Sequence, residues 1–92
     1  MNIGVIGAGL MGSTHIRILS AAVSEARVVA VSDAIAPSAE RIAEEAGIGT
    51  VYADAYALIG DPAVEAVVIA SPAGTHEPFT VACLQEGKRV LC

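Results

Sequence analysis

Two kinds of apolar spacing alternate along this 92-residue chain. Runs such as Val28-Val29-Ala30-Val31 and Ala66-Val67-Val68-Ile69-Ala70 contain no polar position. Such runs belong to strands covered on both faces of a parallel sheet. Between them the apolar residues shift to helical spacing. Ala39, Ile42, Ala43 and Ala46 recur at i, i+3, i+4 and i+7, so they form one buried stripe, while Glu40, Arg41, Glu44 and Glu45 are left to water. Arg41 and Glu45, one helical turn apart, are spaced to pair on that solvated face. Because strand and helix patterns alternate, crossover connections and a parallel sheet are predicted rather than hairpins.

The predicted elements begin with a strand over Asn2 to Ile6, a helix over 10–22 and a strand over Arg27 to Ser32. Pro37 then opens a helix from its first position, and Gly47 stops it in the left-handed conformation. A short strand, Thr50 to Tyr52, leads into a brief helix that Asp54 caps and Gly60 ends. Asp61-Pro62 forms a turn before the strand over 66–70. A helix over 77–86 follows, with Phe79, Ala82 and Cys83 inward and Gly87 as its stop, and a last strand starts at Arg89. Right-handed crossovers place these strands in the order 3-2-1-4-5, a doubly wound α/β sheet. A crevice should open at the carboxyl ends of strands one and four, where the order reverses.

Chemistry converges on that crevice. Gly7-Ala8-Gly9-Leu10-Met11-Gly12 follows the first strand and opens the first helix, the context in which a Gly-x-G-x-x-G pattern signals dinucleotide binding. Gly7 permits a tight exit from the strand, Gly9 lets the backbone approach a pyrophosphate, and Gly12 allows close helix-to-strand packing. The free N–H groups near Leu10 and Met11 favour an anion. Asp33 comes about twenty residues later, at the end of the second strand, where its oxygens can accept from both hydroxyls of a ribose. Its alternative role is to cap a turn. As a ribose ligand it would select NAD over NADP. A 2′-phosphate at 4 Å would be repelled by roughly 4 kcal/mol at an effective dielectric near 20, and Ala34 offers no compensating cation. The loop Ser71-Pro72-Ala73-Gly74-Thr75-His76 reaches the same crevice from the fourth strand. Ser71, Thr75 and His76 offer polar atoms to the nicotinamide half, or Thr75 or His76 simply caps the following helix. His15 reads as a helix residue beside the glycine loop, because no carboxylate sits at a spacing that would make it a general base.

Composition narrows the picture further. The formal charge of −5 and the lack of a basic stripe argue against a nucleic-acid partner. No apolar stretch approaches the roughly 20 residues that a bilayer crossing needs, and the amino terminus lacks the cationic segment of a secretory signal. A cytoplasmic protein is expected. Cys83 and Cys92 have no metal-ligand spacing and read as free thiols in a reducing compartment.

The glycine loop with His15, Asp33, the segment Asp61-Pro62-Ala63-Val64-Glu65-Ala66-Val67-Val68-Ile69-Ala70, Ser71-Pro72 with Thr75-His76, and Gly87-Lys88-Arg89-Val90-Leu91-Cys92 together resemble the amino-terminal domain of the Gfo/Idh/MocA oxidoreductases. The resemblance covers the whole chain. It implies a Rossmann-like domain over 1–92 in which Gly7, Gly9, Leu10, Met11 and Gly12 hold the pyrophosphate of NAD. It further implies that Asp33 binds the adenosine ribose, and that Ser71, Pro72, Thr75 and His76 border the nicotinamide. The implied reaction moves a hydride between the cofactor and a hydroxyl of a polyol, inositol or sugar, in a homo-oligomer. Ala73 stands where such proteins often carry asparagine, and Ser71 where threonine is frequent. Family members continue into a Glu-Lys-Pro element whose lysine acts in proton transfer, then into a substrate domain. The expectation is therefore a truncated, cofactor-binding portion without catalytic residues of its own. A free-standing NAD sensor and a scaffold that self-associates through its strand edges are the competing readings.

Overall fold

The computed structural model describes residues 1–7, 27–71 and 73–91. The helix expected over 10–22 lies outside the described residues, as does Cys92. Five strands, β1 (Asn2–Ile6), β2 (Arg27–Ser32), β3 (Thr50–Tyr52), β4 (Ala66–Ile69) and β5 (Arg89–Leu91), form one sheet. Its order is β3-β2-β1-β4-β5, and every pairing is parallel. The described helices are α1 (Ala36–Ala46), α2 (Ala55–Ile59) and α3 (His76–Gln85), the last entered through a 3₁₀ turn at Ala73–Thr75.

All four residues of β4 are buried, as its unbroken apolar run requires. Its side chains divide between two cores, one on each face of the sheet. Ala66 and Val68 join Ile3, Val5 and Val31 under α1, which contributes Ala39, Ile42 and Ala43. Val67 and Ile69 join Ile6 and Ala30 on the other face, beneath Leu58 and Ile59 of α2 and Cys83 of α3. Each large aliphatic side chain so buried contributes roughly 2 kcal/mol.

The pairing of β2 with β1 contains one irregularity. Ile3 stands opposite Val28, but Gly4 stands opposite Ala30, so Val29 is an extra residue. Val28 and Val31 consequently pack with the α1-side core, and Val29 and Ala30 with the other. A regular strand would alternate these positions one by one.

The α1 stripe is as predicted, with Glu40, Arg41, Glu44 and Glu45 exposed. Gly47 closes the helix at φ 71°, in the left-handed region. The helix starts one residue earlier than expected. Ile35 occupies the cap, so Pro37 is second rather than first, a position whose N–H also has no partner within the helix.

Helix α2 is capped by Asp54, whose Oδ1 accepts from the Tyr56 N–H at 2.9 Å. It lies so close to β1 that a β-carbon on Gly4 would come within 2.6 Å of Leu58 Cδ2. The turn before β4 is tied down by polar groups. Asp61 accepts from the Ala63 N–H at 2.8 Å and from the Tyr52 hydroxyl at 2.6 Å. The Tyr52 bond, followed by the Ala63 N–H, holds the Asp61 carboxyl below its ordinary range, and the same bond raises the Tyr52 phenol. Lys88, a buried cation just before β5, donates its Nζ to the carbonyls of Asp61 and Val64. Among the described residues no helix is long and apolar enough to cross a membrane.

Candidate functional site

The carboxyl ends of β2, β1 and β4 meet at Gly7. Its N–H donates to the Ser32 carbonyl at 2.7 Å, and the Ala70 N–H donates to the Ile6 carbonyl at 2.8 Å. Gly7 has φ 98°, and a β-carbon there would lie 2.8 Å from the Ala70 carbonyl carbon and the Ser71 nitrogen. The tight exit read from the sequence is thus present, and it carries a second demand: only glycine lets the start of the glycine loop pass this close to the loop after β4. Gly9, Leu10, Met11, Gly12 and His15 lie outside the described residues, as does Pro72.

Asp33 follows β2 directly and is half-buried. Its Oδ1 accepts from the Ile35 N–H at 2.7 Å, so the turn-capping role is real. That bond also fixes the orientation of the carboxylate, and Asp33 lines a cleft of about 320 Å³ between the ends of β1 and β2, the start of α2 and the loop after β4. Capping and cleft lining are compatible in one residue.

Ser71 and Thr75 line the same cleft, with their hydroxyls 2.6 Å apart. Thr75 holds the cap position of α3, yet its side chain makes no capping bond. His76 is not among the described residues lining the cleft. Its Nε2 lies 2.8 Å from the Ser71 carbonyl oxygen, a contact that ties the ring to the loop. The structure therefore brings Gly7, Asp33, Ser71 and Thr75 around one space, with His76 bonded to the loop that carries Ser71. Ser71 and Thr75, expected on the nicotinamide side, line the same cleft as Asp33, expected at the adenosine ribose.

Among the lining residues that the sequence does not mark as site residues are two aromatics: Tyr56, in the first turn of α2, and Phe79 of α3. Their rings pack edge to face, 5.3 Å apart at 72°. The available signal was positional. Tyr56 follows the carboxyl end of β3, the end of the sheet at which ligands bind in such folds.

The donor set fits a nucleoside. The walls are mainly apolar, a fixed carboxylate stands ready to accept from sugar hydroxyls, and a pair of hydroxyls shares the lining. Asp33 and Asp54 put two carboxylates on the lining, and no lysine or arginine is among its described residues.

Comparison with known proteins extends this geometry. The model of the Gfo/Idh/MocA group, described as an oxidoreductase family with an NAD-binding Rossmann fold, matches residues 1–92. Inositol 2-dehydrogenase 2 of Saccharopolyspora erythraea is 55% identical over 92 residues, which are 100% of this chain and 27% of that protein. Inositol 2-dehydrogenase 1 of the same organism is 50% identical, with 100% of this chain and 28% of that protein covered. Among solved structures, myo-inositol dehydrogenase from Lactobacillus casei in complex with NAD(H) and myo-inositol superposes with a TM-score of 0.93 at 35% identity, covering 98% of this chain and 27% of that one. The chain thus spans about a quarter of the length of the relatives it matches.

Proposed function

Since the chain belongs to the Gfo/Idh/MocA oxidoreductases and carries their NAD-binding Rossmann fold, we propose that residues 1–92 are the dinucleotide-binding domain of an NAD-dependent dehydrogenase acting on inositol or a related polyol. The support for the substrate class is the likeness to inositol dehydrogenases. Bound NAD would supply the hydride acceptor. This chain's residues bind and orient the cofactor, and substrate binding and proton transfer belong to parts of the protein beyond these 92 residues.

Asp33 holds the adenosine ribose through its hydroxyls, with its carboxylate oriented by the Ile35 N–H. Gly7, Gly9, Leu10, Met11 and Gly12 form the pyrophosphate loop. Ser71 and Thr75 present hydroxyls to the cleft, and Pro72 and His76 are assigned with them to the cofactor's border. The enzyme prefers NAD to NADP, works in the cytoplasm and assembles as a homo-oligomer. The observation that carries this reading is the cleft at the strand-order reversal with Asp33 on its lining.

Isothermal titration with NAD and NADP tests it. NAD should bind more tightly than NADP. Asp33→Ala should weaken NAD by about tenfold, the loss of one charge-assisted hydrogen-bonding group, and narrow the gap to NADP. Unchanged discrimination in that variant would remove the ribose role.

A further inference from the structure

Tyr56 is an exposed aromatic residue on a helix whose buried work is done by its neighbours. Leu58 and Ile59 fill the core, whereas Tyr56 is 51% exposed. Its backbone is nonetheless tightly held. The Tyr56 N–H is the group that caps on Asp54, and two residues later Leu58 is wedged against Gly4 of β1. The ring is further braced edge to face by Phe79. A braced, half-exposed ring on the wall of a mainly apolar cleft is a surface prepared for a flat ligand group.

The position of Asp33 decides which group that is. Asp33 and Tyr56 line one cleft, and a base joined to the ribose that Asp33 holds must lie within a sugar's length of that carboxylate. The nicotinamide is separated from that ribose by the whole pyrophosphate. We infer that Tyr56, backed by Phe79, is the stacking surface for the adenine ring, an assignment that rests on reading the cleft as the NAD site. Every purine has a π-face to offer, so the contact adds affinity for the adenosine half irrespective of the substrate being oxidised.

The chain contains two tyrosines and no tryptophan, which makes the contact directly observable. In Tyr52→Phe, Tyr56 is the sole tyrosine, and its emission should fall on titration with AMP or NAD and stay constant with nicotinamide mononucleotide. Titration calorimetry supplies the second readout. Tyr56→Ala should weaken AMP and NAD by roughly tenfold, within the range for loss of one base–aromatic stack, and Tyr56→Phe should restore most of that affinity. If NAD binds in an Asp33-dependent manner yet Tyr56→Ala binds AMP as well as the parent, the stacking role is overturned and the cofactor reading stands. If the parent chain binds neither NAD nor AMP, both fall together.

Discussion

Two polar clusters stand in contrast. Around the turn before β4, Tyr52, Asp61 and Lys88 are joined by bonds between residues far apart in sequence, reaching from β3 to β5 through the turn at Asp61–Val64. Around the cleft, Asp33 bonds to Ile35, Ser71 to Thr75, and His76 to Ser71, all within five positions. The first cluster fastens separate elements together, and the second shapes individual loops. Substitutions in the first should therefore cost fold stability, and substitutions in the second should alter ligand affinity in a folded chain.

The hardest test of that contrast is Lys88→Met. It removes the donor from the Asp61 and Val64 carbonyls while keeping most of the apolar stem. Stability to urea should fall by about 3 kcal/mol, the cost of losing a charged donor to partly or fully buried acceptors. The remaining folded protein should bind NAD normally. Gly7→Ala comes next and breaks the contrast, because Gly7 belongs to both the sheet and the cleft. With φ 98° and two backbone atoms 2.8 Å from the new methyl group, it should lose roughly 2 kcal/mol and, unlike Lys88→Met, also lose NAD affinity. Parallel urea and calorimetric titrations would separate the two behaviours.

The smallest expected effect is in the pH profile of the first cluster. Asp61 is held below its ordinary value of 3.8, so its contribution to stability is present above that pH and is lost as pH falls through the lower value of the folded state. Tyr52 is raised above 10.0, so its contribution is present below that pH and is lost as pH rises through the folded-state value. The urea midpoint should decline at both extremes, and Tyr52→Phe should flatten both declines. A Tyr52→Phe profile parallel to that of the parent would show that the bond has no such role.

The framework of this fold was legible because burial imposes periods. The apolar runs of β2 and β4, the α1 stripe ending at Gly47, and the strand order all follow from spacing and the handedness of crossovers. Lys88 was not legible, since a pattern of polar and apolar positions assigns every lysine to solvent. Nor was the need for glycine at position 4, which arises only when Leu58 packs across from a different element. At the site, the turn role read for Asp33 is seen in its bond to the Ile35 N–H, and the residue also lines the cleft in which the ribose role is proposed. Tyr56 and Phe79 are twenty-three positions apart, and no local signal foretells that their rings meet.

The surplus valine in β2 has a consequence beyond local geometry. Positions three apart, Val28 and Val31, look toward the same core, so the parity of the strand is reset before it reaches Ser32 and Asp33. A chimera built by moving the tail of β2 into a strand of even count would turn the serine toward the wrong side and re-aim the carboxylate after it. Transplanting the placement of Asp33 therefore means transplanting the strand's miscount as well.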